Sequence, residues 1–305
     1  MPRNQQQDNL LRDSLAAFSR AARQVQWDEP AALHQTRVAS RRFRELLPLL
    51  QLEPSAARKL KRQLRSVTRA LGATRELDVL HAIIAELQSD GRYSAEALRR
   101  VALSVERERA ESRRELRATL PASKMKRLAS RMEDALEDLS RKTSAPPRDS
   151  RVLESKHAHQ WVLEARVVHR ATRAASAIAA AGVVYVPERL HDARIALKRL
   201  RYAAELLANA DHRIATRSLA SLKSAQDALG RLHDLEVLIE RTRREQVTLT
   251  PPDLTAWREL SALVHALEND CRRLHGMFLQ QRSSLLAIAR ELGAAPEKRA
   301  SRKPA

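Results

Sequence analysis

The sequence predicts an all-α protein made of two related helical halves, and three observations predict it. The 305 residues include only six glycines and are rich in Ala, Leu, Arg and Glu, which are good helix formers. Apolar residues recur at three- and four-residue intervals through most of the chain, the helical period. Two blocks also occur twice in the same order. HQTRVASRRFRE at 34–45 matches HDARIALKRLRY at 191–202, and LGATRELDVL at 71–80 matches LGRLHDLEVL at 229–238. Matched blocks at an almost constant separation indicate an internal duplication.

Breakers divide the periodic pattern into helices. The first set is expected at 6–26, 30–51, 55–71, 74–88, 94–119 and 122–142, the second at 152–181, 187–208, 212–229, 233–247 and 252–291. Pro30, Pro54, Pro121, Pro187 and Pro251-Pro252 stand at or just before helix starts, where a missing N–H costs little. The segment TSAPPRDS at 143–150 has turn formers and no apolar period, so it reads as a linker between halves 6–142 and 151–291. Residues 292–305 read as a disordered basic tail. Aromatics are only 3%, so Leu, Ala and Val must build most of the core, with Trp27, Trp161 and Trp257 packing between helices. The simplest architecture is a pair of pseudo-symmetric antiparallel helical bundles.

Charge narrows the function. There are 56 Lys plus Arg against 37 Asp plus Glu, a formal +19. The excess is +10 up to residue 150 and +9 after it, so it is not confined to a tail. A protein holding that much like charge repels itself, and a polyanion relieves the repulsion. Nucleic acid, an anionic membrane surface and a phosphate polymer are the candidate partners. Cys271 is the only cysteine, which rules out an internal disulfide and a cysteine-based zinc site. The start, MPRNQQQDNLL, lacks a secretion signal's apolar segment, and no apolar run reaches the length of a membrane span. The expectation is a cytoplasmic location.

The repeated spacing places the charge. At about 100° per residue, His34, Arg37, Arg41 and Arg44 fall in one stripe less than a quarter-turn wide, and His191, Arg194, Lys198 and Arg201 repeat it. Arg42 and Arg199 flank the two stripes. Val38, Phe43, Leu46, Leu47 and Leu50 turn toward the core from the first copy, and Ile195, Leu200 and Leu207 from the second. A third row, Arg58, Arg62, Arg65 and Arg69, follows i, i+4, i+7, i+11 spacing with no acid one turn from the inner two. The second half keeps Arg217 and Lys223 in comparable places but has Asp227 where Arg69 would be. Such rows, with about a 5 Å repeat along the helix, can meet successive phosphates. Arginine adds bidentate contacts, and lysine and protonated histidine add point charges.

Other chemistries find little support. His157 and His159 lie on different helix faces, and His265 and His275 have no third ligand nearby. There is no Gly-rich phosphate loop. Glu133-Asp134 and Glu137-Asp138 read as a solvated face. A phosphoanhydride hydrolase would need an acidic metal cluster, which the spacing does not offer. Neither a cofactor nor catalysis is expected. A non-specific nucleic-acid-binding helical protein is the alternative, although no helix-turn-helix, finger or base-stacking motif occurs.

The motif H-x-x-R-hydrophobic-x-x-K/R-R-hydrophobic-R, present at His34 and again at His191, resembles the CHAD family, the conserved-histidine α-helical domains. LGATRELDVL and SLKSAQDALGRLHDLEVLIE resemble that family's second signature. The resemblance covers residues 6–290. It implies two four-helix bundles about a pseudo-twofold axis, with a basic groove or pore between them. It also implies binding of inorganic polyphosphate and residence on polyphosphate granules, without catalysis. Carried over by position, the binding residues are His34, Arg37, Arg41, Arg42 and Arg44, then His191, Arg194, Lys198, Arg199 and Arg201. Lys223 matches a further basic position, with Arg65 as its partner; Arg62 and Arg69 join them from the third row. This chain departs from the pattern at Thr68, which stands where the second copy has Gln226. It departs again at Arg75-Glu76, which stands where the second copy has His233-Asp234. The triphosphate-tunnel enzyme often joined to such domains is marked by E-x-E-x-K, and Glu106-Arg-Glu108-Arg-Ala110 lacks the lysine.

Overall fold

The structure, a computed structural model, describes the backbone of residues 3–23, 27–47, 52–144, 151–211 and 214–294. Within those it describes the side chains of 12–23, 27–44, 47, 52–138, 141, 161, 163–208 and 214–294. The described residues form nine helices and no strand: α1 (Arg3–Arg23), α2 (Pro30–Leu46), α3 (Pro54–Asp90), α4 (Ala95–Thr119), α5 (Ala122–Ser144), α6 (Arg151–Ala180), α7 (Pro187–Asp211), α8 (Thr216–Val247) and α9 (Leu254–Gly293). Proline opens α2, α3 and α7. Asp253 caps α9, its Oδ1 accepting from the Ala256 N–H at 3.0 Å. Ser94 does the same for α4, its Oγ accepting from the Ala97 N–H at 3.2 Å. Gly91, at φ 70° just after α3, takes the left-handed conformation that glycine adopts without strain.

Eleven expected helices become nine because two expected breaks do not occur. Residues 55–71 and 74–88 fuse into the 37-residue α3, and 212–229 and 233–247 fuse into the 32-residue α8. Gly72 and Gly230, at the two expected breaks, sit inside those helices. A helical glycine costs only ~0.5–1 kcal/mol relative to alanine. Breaking the helix there would forfeit the packing of Leu71, Leu77 and Leu80, or of Leu229, Leu232 and Leu235, all buried, at a far larger cost.

The chain divides into two units, residues 1–83 with 102–159, and residues 84–101 with 160–305. In the first, α1 packs on α2 and α5 around Phe18, Trp27, Leu33, Phe43, Met125 and Met132. Ser19 Oγ donates to Glu133 Oε1 at 2.7 Å, tying α1 to α5. Asp78, on α3, is almost fully buried and holds Arg109 Nε at 2.7 Å and Arg113 at 2.9 Å, both from α4. In the second unit α8 packs on α7 and α9. The end of the α3–α4 hairpin belongs to this unit: Arg231 pairs with Glu86 at 2.9 Å, and the Tyr93 hydroxyl donates to Asp270.

Three sequence expectations need correction. Trp27 is buried, but Trp161 and Trp257 are at least half exposed; Trp257 lies in the first turn of α9, where fewer neighbours surround a side chain. The inner face of α2 is Leu33, Thr36, Ala39, Ser40, Phe43 and Leu47, whereas Val38 is only half-buried. Thr36 and Ser40 are admitted because their hydroxyls donate to Ala32 O and Thr36 O, each at 2.8 Å. Finally α9 runs through Gly293 with Leu292 buried, so the first residues assigned to the tail complete a packed helix. The rest of that tail, the linker beyond Ser144, and Leu50 lie outside the described residues, as do the side chains of Leu46, His157 and His159.

Two stability measurements follow. A Cβ added at Gly72 meets no atom within 4 Å, so Gly72→Ala should raise stability by about 0.5–1 kcal/mol in urea denaturation. Asp78→Ala should lower it by roughly 3–5 kcal/mol, because it leaves two largely buried guanidinium groups without their carboxylate.

Candidate anion-binding site

The two histidine-led stripes border the core on one side. Taking His34 as zero on α2, the buried face centres near 200° and the stripe near 320° at about 100° per residue. Arg37, Arg41 and Arg44 are therefore half-buried, whereas His34 and the flanking Arg42 are exposed. On α7 the buried face is Leu190, Ala193, Leu197, Leu200, Ala204 and Leu207. His191, Arg194, Lys198 and Arg201 are half-buried, and Arg199 is exposed. Arginine and lysine tolerate this position because their aliphatic stems can pack while the charged heads stay outside.

In the second unit the stripe of α7 meets a stripe of α8. Lys223, Gln226, Gly230 and His233 are spaced i, i+3, i+7, i+10, which puts them on one face. Arg201 Nε donates to Gln226 Oε1 at 2.9 Å, pairs with Glu205, and stacks on Tyr202 with Cζ 4.6 Å from the ring centre. Arg194 lies over Gly230, where an added Cβ would come 4.0 Å from its Nε. His191 and His233 bring their Nδ1 atoms to 3.4 Å, with ring centres 4.6 Å apart. Behind them Tyr185 donates its hydroxyl to Glu236 Oε1 at 2.8 Å and sets its ring edge-on to His275 at 5.3 Å.

The electrostatics follow from that crowding. Burial pushes the His191 pKa below the usual imidazole value, and the His233 and Arg194 charges push it the same way. Burial raises the Asp234 pKa, against the pull of Arg194, His233, Arg231 and Lys198. One carboxyl group thus sits among four cationic or titratable neighbours. Burial and the bond to Glu236 raise the Tyr185 pKa, so the phenol stays a neutral donor. Burial lifts the Cys271 thiol to about 11, which keeps it unreactive.

In the first unit Arg62, Arg65 and Arg69 are exposed along α3 and have no ion pair among the described residues. Arg58 donates to Pro54 O at 3.1 Å. Arg42, Arg194, Arg199 and Lys223 likewise have no carboxylate within ion-pair distance among the described residues. Many exposed arginines elsewhere do have one: Arg23 with Glu133, Arg99 with Glu96, Arg117 with Asp28, Arg243 with Glu268 and Arg244 with Glu240. Glu133 is engaged by Ser19 and Arg23, and Glu137 and Asp138 by Arg141, as a solvated face would have them.

Sequence reasoning assigned no role to His233, Asp234, Arg231, Gln226 or Tyr185. His233-Asp234 and Gln226 stood out only as mismatches with the first copy, where Thr68 turns back to Leu64 O at 2.7 Å. Tyr185 carried no signal, lying in the loop before α7 and far along the chain from Glu236.

The comparisons with known proteins agree with this architecture. The family profile of the CHAD domain matches residues 9–243. The chain is similar in fold to the crystal structure of the CHAD domain from the plant Ricinus communis, with TM-score 0.50 and 22% identity, covering 95% of this chain and 91% of that one. It is also similar to PptA from Streptomyces chartreusis, with TM-score 0.55 and 16% identity, covering 92% and 98% of the two chains. No curated protein matches the sequence. With the family profile spanning both histidine-led blocks and an all-helical fold beneath it, the chain belongs to the CHAD domain family, a family associated with binding polyphosphate.

Proposed function

We propose that this protein binds inorganic polyphosphate through the basic faces of its two units, without catalysis, and associates with polyphosphate granules. The observation that carries this reading is the selective lack of carboxylate partners. Arg42, Arg62, Arg65, Arg69, Arg194, Arg199 and Lys223 have no ion pair among the described residues, in a chain where many other exposed arginines do. Cations held on helix faces without an ion pair among the described residues suit a ligand that brings its own charges in a row. The half-buried members, Arg37, Arg41, Arg44, Lys198 and Arg201, supply partly desolvated donors, and these bind phosphate oxygens more strongly than fully solvated ones. His34 and His191 complete the two rows.

A binding role is supported by the partners of the α7–α8 acids: Asp234 is surrounded by cations, Glu205 pairs with Arg201 and Glu236 accepts from Tyr185. None of the described helices is long and apolar enough to cross a membrane.

The combined variant Arg37→Ala, Arg41→Ala, Arg194→Ala, Lys198→Ala should bind long-chain polyphosphate at least about 100-fold more weakly, since each charge-assisted contact contributes ~1.5 kcal/mol or more. Circular dichroism should show its helicity retained. Unchanged affinity sinks the proposal. Duplex DNA that resists displacement by excess polyphosphate at matched salt would favour a nucleic-acid partner instead. Phosphate release with magnesium or manganese would point to an enzyme. The tagged protein should form foci in cells only when they contain polyphosphate.

A further inference from the structure

We propose that His191 and His233 together form a two-imidazole subsite for a phosphoryl oxygen, and that this subsite takes up a proton when the polyanion binds. The inference rests on the polyphosphate reading above and adds His233 to the residues that touch the ligand.

The geometry carries it. With the two Nδ1 atoms 3.4 Å apart, one ring nitrogen must donate and the other accept. The pair is therefore comfortable when neutral or sharing one extra proton. A second proton would place two donors and two charges face to face. The surrounding groups do not relieve that conflict. On α7, Arg194 adds positive charge and Asp192 is an exposed carboxylate at its edge. On α8, Asp234 is already surrounded by Arg194, His233, Arg231 and Lys198. Glu236 Oε2 is 3.8 Å from His233 Nδ1, but its other oxygen accepts from Tyr185 of the loop before α7. From α9, His275 lies behind the Tyr185 ring. Burial and the neighbouring charges already disfavour the charged form of His191.

An anionic oxygen beside the pair shifts the balance. It can accept from a ring N–H that the Nδ1 contact leaves over, and its charge favours the singly protonated pair over the neutral one. Binding raises the proton affinity of the pair, so by linkage affinity must rise as pH falls. The first unit has no such pair at the matching place, because its second signature has Arg75 where this one has His233. Arginine stays charged at every physiological pH. The subsite is thus a property of the second unit.

Isothermal titration calorimetry of the full chain with long-chain sodium polyphosphate, in two buffers of different ionisation enthalpy near about pH 7, counts the protons taken up. The wild type should take up protons and bind more tightly from about pH 8 to about pH 6, each linked proton changing Kd by at most about tenfold per pH unit. His233→Arg should lose roughly half to one of those protons, bind more tightly than wild type at the alkaline end, and flatten the profile. His233→Gln should lose the same protons and bind more weakly at the acidic end; it decides the matter if circular dichroism shows the arginine variant misfolded. Wild-type proton uptake in both variants, with binding intact, overturns the subsite and leaves the polyphosphate reading standing. No binding by the wild type at any pH overturns both.

Discussion

Repulsion among like charges held along one helix face is the constraint that the rest of this architecture answers. Cations at i, i+3, i+7 and i+10 weaken an isolated helix by a few tenths of a kcal/mol per like pair, and on α2 and α7 they also border the core. The chain accommodates them by angle. The buried face is rotated about a third of a turn from the stripe, so aliphatic stems pack while the charged heads remain at the edge. Leu33, Phe43 and Leu47 on α2, like Leu190, Leu197 and Leu200 on α7, are each nearly or fully buried. Their burial, at roughly 25 cal/mol per Å² of apolar surface, outweighs the local repulsion.

Partners are then distributed unequally along the stripe. Arg201 is fixed by Glu205, Gln226 and Tyr202, and such an arginine sets the register of α7 on α8 as much as it attracts an anion. Arg199 and Lys223 have no carboxylate partner among the described residues, and they contribute charge without fixing geometry. Asp234 lies between these extremes. It moderates the cations around it, yet burial disfavours its own ionised form. A face fixed by such contacts is already ordered, so an anion binding there would meet a reduced ordering cost.

Much of this was legible in the sequence because a helix converts spacing into angle. The duplicated motif located α2 and α7, and the i, i+4, i+7 pattern located the exposed row on α3. Proline marked five helix starts, opening α2, α3 and α7 and standing just before α5 and α9. What spacing cannot convey is which helix faces which. The Tyr185–Glu236 and Asp78–Arg109 contacts join residues 51 and 31 positions apart, and no local pattern encodes them. The two expected breaks failed for a related reason: the helix penalty of glycine is visible in the sequence, whereas the packing that outweighs it at Gly72 and Gly230 is not. The buried hydroxyls of Thr36 and Ser40 were missed because polarity reads as exposure, although back-bonding to their own helix satisfies both.

The two copies of the second signature show how one pattern can serve different chemistry. Asp78 and Glu236 occupy the same place in it, and each has an oxygen engaged by a donor. For Asp78 the donors are two arginines of α4, for Glu236 a tyrosine hydroxyl. The arginine solution uses two cations inside the first unit, where they no longer face outward. That unit draws its outward charge from Arg62, Arg65 and Arg69 on α3 instead. The tyrosine solution uses no cation, and it leaves Glu236 within 3.8 Å of a histidine. A neutral donor beside that carboxylate adds no charge near His233, whereas a guanidinium pair would add two. The choice of partner for one buried acid thus separates a unit that commits two arginines to it from a unit that keeps its cations out of that contact.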